Sequence, residues 1–124
     1  MYVQDISPTA EAVAQDIGAG TSFSTLSEEE RTAFAPQLVV VAAPPDSAGA
    51  VCARALNTYA PRPEAGYPGA VVTDVASVKV QPLADVLASG ADASRYVGSH
   101  PMADVYKRQH PHREVQRLRD RNDR

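Results

Sequence analysis

Apolar and polar positions fall into short blocks along this chain, and each block has the length of a single element. Met1-Tyr-Val-Gln-Asp5 turns from apolar to acidic and reads as the end of a strand with Asp5 at its tip. Ser7-Pro-Thr-Ala-Glu11 is a helix start, with Ser7 at the cap, Pro8 at the first helical position and Glu11 near the third. Helix-compatible residues continue to Gly18-Ala-Gly20, a natural stop. Thr21 to Phe34 is polar, and Ser27-Glu-Glu-Glu30 predicts one exposed capped turn. Leu38-Val-Val-Val-Ala-Ala43 is apolar throughout, which predicts a strand covered on both faces. Pro44-Pro45 ends it, since proline supplies no ladder donor. Asp46 or Ser47 then caps a helix through Val51, Ala55 and Leu56. Pro61 to Gly69 is a loop. Val71-Val-Thr73 is the next strand, Val80–Leu87 a helix with an early Pro82, and Tyr96-Val-Gly98 a last short strand.

Strands alternating with helices predict an α/β fold, a Rossmann-type parallel sheet with right-handed crossovers. The sheet reads as incomplete. A dinucleotide-binding fold opens with a strand, G-x-G-x-x-G and a helix, then an acidic residue ~20 positions on. Asp5 stands where that acidic residue would close the second strand, and Gly18-Ala-Gly20 follows a helix rather than a strand. The first strand and the glycine-rich loop are therefore expected to be missing, with Met1 an internal or truncated start. Ligands of open α/β sheets collect just past the carboxyl ends of strands. Two strand ends turn polar there, one at Thr73, Asp74, Ser77 and Lys79 and the other at Ser99 and His100. Ser77, Lys79 and His100 form the candidate catalytic rim.

Composition narrows this further. The 124 residues make one small domain or a piece of a larger protein. No run approaches the ~18 apolar residues of a membrane span, and the N-terminus has no basic region followed by an apolar stretch. Cys52 is the only cysteine, which excludes an internal disulfide and fits a reducing cytoplasm. It is expected to be a small packed residue on a helix. Of the three histidines, two lie in the tail, so no zinc-ligand spacing is present and no metal is expected. Residues 1–103 carry five Lys/Arg against eleven Asp/Glu, a net −6, while residues 104–124 carry seven against four, a net +3. An acidic body excludes nucleic acid as a natural partner.

With Asp74-Val-Ala-Ser-Val-Lys79 and Gly98-Ser-His-Pro-Met-Ala103 in place, residues 1–103 resemble prephenate dehydrogenases, in an actinobacterial-looking version. Leu38-Val-Val-Val-Ala-Ala-Pro-Pro45 is similar to the family's strand and turn over the cofactor. The resemblance implies an enzyme that uses NAD, or NADP, to oxidise and decarboxylate prephenate to 4-hydroxyphenylpyruvate on the route to tyrosine. It implies that His100 is the catalytic histidine, accepting a hydrogen bond from the ring hydroxyl, and that Ser77 orients histidine and substrate. Asp5 would hold the adenosine ribose, and Ala43, Pro44 and Pro45 would lie along the cofactor. Lys79 and Asp74 would be weaker substrate contacts. Ser77 could equally cap the helix that follows, Asp5 could close the turn before Ser7, and Asp74 could order its own loop. Ile6 and Ser7 offer no Arg for a 2′-phosphate, which favours NAD. A family member would be a cytoplasmic homodimer, paired through a helical C-terminal domain.

The resemblance ends after Ala103. Asp104-Val-Tyr-Lys-Arg-Gln109 looks like the translation of a transposon end used in sequencing-library preparation, so residues 104–124 are expected to be a non-native, irregular or helical tail. The partial dinucleotide-binding domain, 1–103, is expected to be inactive by itself. Arogenate as substrate, or a noncatalytic α/β nucleotide-binding module, are the alternatives.

Overall fold

The computed structural model describes residues 1–77 and 80–99. These form two compact units, one from Met1 to Ala35 and one from Pro36 onward. Both are α/β and every strand pairing is parallel, as an incomplete Rossmann-type fold requires. Among the described residues the parallel strands fall into two small sheets, one of two strands and one of three.

In the first unit, β1 (Tyr2–Val3) leads into α1 (Pro8–Asp16) and returns to β2 (Thr21–Ser22), which pairs with β1. The polar dipeptide of β2 carries no apolar run, which is why the hydrophobic pattern missed it. Ser7 caps α1 by accepting from the Ala10 amide, with Pro8 in the first turn. Gly18 then takes φ +78°, a left-handed conformation that glycine adopts without penalty, and the helix stops. α2 (Glu28–Ala33) carries the expected capping box, Ser27 and Glu30 each accepting the other's backbone N–H. Tyr2, Phe23 and Phe34 meet edge to face beneath it, at centroid distances of 5.2 to 6.4 Å.

The second unit is a three-stranded sheet in the order β3 (Leu38–Val41), β4 (Val71–Asp74), β5 (Tyr96–Gly98). Its core is Val41, Cys52, Leu56, Val72 and Val86, with Val39 and Tyr96 packed against it. Cys52 is a buried core residue on the helix that follows β3, as its size and context predicted. Two expectations need correction. α3 (Pro45–Thr58) begins earlier than an Asp46 or Ser47 cap would allow, with Pro44 at the cap and Pro45 at the first helical position. Proline at that position loses no needed donor, and the Pro44 carbonyl accepts from the Ser47 and Ala48 amides. Nor is β3 covered on both faces: Val41 is buried, but Leu38 and Val40 remain 57% and 55% exposed. Val39, Val41 and Val72 pack against the helices, whereas Leu38, Val40, Val71 and Val97 lie on the opposite face. An apolar run reports that a strand suits burial, not how many layers cover it.

α3 packs on α4 (Val80–Ala88) through small residues, Ala48, Gly49, Cys52 and Ala53. A Cβ on Gly49 would fall 2.5 Å from the Asp85 Cβ, which belongs to the rigid root of that side chain. Gly49→Leu is expected to destabilise the protein by about 2–3 kcal/mol, because overpacking outweighs the gain of ~1 kcal/mol in helix propensity. Urea denaturation of the full-length gene product checks this, and an unchanged midpoint would contradict the close approach.

Candidate functional site

Parallel pairing sets three strand ends in one row. Val41 of β3 pairs with Asp74 of β4, and Asp74 with Gly98 of β5. The segments leaving these strands therefore start side by side at the carboxyl edge, where an open α/β sheet receives its ligand. Ala43, Pro44 and Pro45 leave from β3, Ser77 from β4, and Ser99 from β5 toward His100. Lys79, His100 and the tail from residue 104 onward lie outside the described residues.

Ser77 is exposed between β4 and α4. Asp74 is different. It is fully buried, its Oδ2 accepts from the Ala76 amide at 3.0 Å, and its Oδ1 accepts from the Tyr96 hydroxyl at 2.6 Å. That carboxylate faces the chain's own groups and offers no surface to a substrate. Burial, and then the Asp74 carboxylate, hold the Tyr96 phenol above its ordinary pKa, so its proton stays available for donation. The Asp74 carbonyl accepts from the Ser99 amide at 3.1 Å and from the Ser99 hydroxyl at 2.8 Å. Sequence reading weighed Asp74 as a weak substrate contact or as ordering its own loop, the second of which the Ala76 bond matches, and gave Tyr96 and Ser99 no role of their own. The available signal was an acidic residue closing an apolar strand, which needs a buried donor nearby.

In the first unit Asp5 lies exposed just past the end of β1. Its Oδ1 accepts from the Ser7 amide at 2.7 Å, which fixes the carboxylate against the start of α1. Glu11, read from sequence only as part of the helix start, anchors this turn. It is buried; its Oε2 accepts from the Asp5 amide, and its Oε1 from the Ser24 amide and the Ser22 hydroxyl. These donors, Ser22 first, pull its pKa from 4.5 down to about 2. A carboxyl whose pKa is lowered by folding stabilises the fold above pH 4.5, and that contribution is lost as the pH falls toward 2. Glu11→Gln must turn an amide N–H toward one of those donors. Exchange at the Asp5 and Ser24 amides should therefore be faster in the variant at pH 7, with the difference narrowing between pH 4.5 and 2. Equal exchange rates at pH 7 would contradict the anchoring role.

Asp5 therefore closes the turn before Ser7, the alternative role the sequence offered, and remains exposed. Pro44 and Pro45 have no N–H, so they can meet a cofactor only through carbonyl and ring surfaces, and the Pro44 carbonyl is already committed to α3. Among the described residues no group of three or more His, Cys, Asp or Glu is placed to hold a metal ion. No helix among them is long and apolar enough to cross a membrane.

The family model described as prephenate dehydrogenase, nucleotide-binding domain, matches residues 1–109. No curated protein matches, and neither does any solved structure.

Proposed function

Because the chain belongs to the prephenate dehydrogenase nucleotide-binding domain family, we propose that it is the cofactor-binding part of an enzyme that converts prephenate to 4-hydroxyphenylpyruvate with NAD. The supporting observation is the pairing of Asp74 with Gly98, which starts the Ser77 and His100 segments from neighbouring positions. Asp5 would hold the ribose hydroxyls, with Ala43, Pro44 and Pro45 along the cofactor. When bound, the oxidised dinucleotide supplies a hydride acceptor. His100, as a neutral imidazole, takes the hydrogen bond of the ring hydroxyl while hydride leaves the same carbon. The ring carboxylate departs as carbon dioxide, and its bonding pair completes the aromatic ring. Ser77 orients hydroxyl and imidazole, and Lys79 is the cation available to a dianionic substrate.

The G-x-G-x-x-G pattern does not occur in the 124 residues. Its backbone amides cradle the pyrophosphate, and side chains elsewhere do not replace them. The 124 residues alone are accordingly proposed to lack turnover, and the test uses the full-length gene product. NADH formation from prephenate and NAD, faster than NADPH formation from NADP and faster than NADH formation from arogenate, is the expected result. Binding of NAD with no turnover of prephenate or arogenate would make the protein a noncatalytic binding module instead.

A further inference from the structure

We propose that Asp74 is a positioning residue that fixes the spacing between the two catalytic strand ends, with Tyr96 and Ser99 as its partners. This role rests on the assignment of Ser77 and His100 to the reaction. The Asp74 carboxylate holds the amide of Ala76, the residue before Ser77, at 3.0 Å. The Asp74 carbonyl holds the amide and hydroxyl of Ser99, the residue before His100, at 3.1 and 2.8 Å. A single residue thus grips the position immediately preceding each candidate. Tyr96, from β5, closes the arrangement by donating to the carboxylate at 2.6 Å, and Thr73 donates to the Ser99 hydroxyl at 3.2 Å.

A fully buried carboxylate is costly to keep. An apolar residue would complete β4 without that desolvation, so stability alone does not explain Asp74. What the carboxylate adds is geometry. It has two acceptor oxygens at fixed separation, one directed to its own loop and one to the neighbouring strand. Both strand ends are then defined relative to one residue, and misplacement by ~1 Å can cost ~100-fold in rate.

The test uses the full-length gene product and two readouts. Amide hydrogen exchange is followed at Ala76 and Ser99 in the wild type and in Tyr96→Phe, which keeps the ring in the core but removes the donor. Steady-state kinetics with prephenate and NAD are measured for Tyr96→Phe, Ser99→Ala, Asp74→Asn and Asp74→Ala. Exchange in Tyr96→Phe should quicken at both amides, although only Ala76 bonds the carboxylate. Its kcat should fall about tenfold or more, with KM and NAD affinity within about twofold. Asp74→Asn, which keeps an acceptor oxygen of the same size, should recover more of kcat than Asp74→Ala. Unchanged exchange at Ser99, or kcat held within about twofold while thermal stability falls, would overturn the role. A wild type that oxidises neither prephenate nor arogenate would sink the functional assignment instead, and the paired exchange at Ala76 and Ser99 would still decide whether Asp74 couples the strand ends.

Discussion

Replacing Arg95 by Ala is expected to destabilise the second unit by about 3–5 kcal/mol, a large share of the ~5–15 kcal/mol that holds a domain of this size. Arg95 stands just before β5 with its side chain only 13% exposed. Its Nη1 donates to the carbonyls of Tyr59 and Ala70, and its Nη2 to that of Leu56. Leu56 and Tyr59 lie at the end of α3, where carbonyls lack intrahelical partners and the helix dipole favours a cation. Ala70 immediately precedes β4, so one guanidinium ties the end of a helix to the entry of a strand. Gly69 makes this possible. It takes φ +89°, and a Cβ there would lie 2.9 Å from the Arg95 Nη1. Alanine at position 95 leaves three carbonyls without their charged donor, each worth ~1–3 kcal/mol, and water recovers only part. Lysine carries the charge without the planar fork and should recover only part of the loss. Urea denaturation of the full-length gene product checks this. A midpoint within experimental error of the wild type would show that the three bonds carry no net stability.

The second large effect is chemical. His100→Asn should lower kcat for prephenate by about 10²–10⁴-fold while leaving NAD affinity and the denaturation midpoint unchanged. Asparagine can still meet a ring hydroxyl with its amide. It has no group titrating near neutrality, whereas an ordinary imidazole does so at ~6.5. The acidic limb of the kcat/KM profile should therefore disappear with the histidine. The contrast with Arg95 follows from the sheet. Arg95 precedes β5 at the amino ends of the strands, so its loss is expected to act on stability, while His100 follows β5 in the sequence and its loss is expected to act on the reaction.

Much of this arrangement was legible in the residues. Helix starts announce themselves locally, through Ser7 with Pro8 and through Ser27 with Glu30, because a cap is satisfied within four residues. Val71-Val-Thr73 and Tyr96-Val-Gly98 gave their strands, with β4 running one residue further to Asp74, and the polar switch after them marked their carboxyl ends. One loss is local, since Pro45 opens α3 where the sequence reading placed only a strand stop; the others are long-range. β2 is Thr-Ser and exists because β1 lies beside it, not because of any pattern of its own. The face of β3 left exposed depends on which helices lie over it. Glu11 and Asp74 are acidic residues whose roles depend on donors 11 and 22 residues away, at Ser22 and Tyr96. Arg95 contributed only a charge to the sequence reading, and its partners lie 25 to 39 residues back.

The most direct test of the account is NADH formation from prephenate by the full-length gene product, run beside His100→Asn with NAD affinity measured on both proteins. Turnover in the wild type, its loss in the variant and equal NAD affinity are the predicted result. NAD binding by both proteins with no turnover by either, or equal turnover by both, would contradict it.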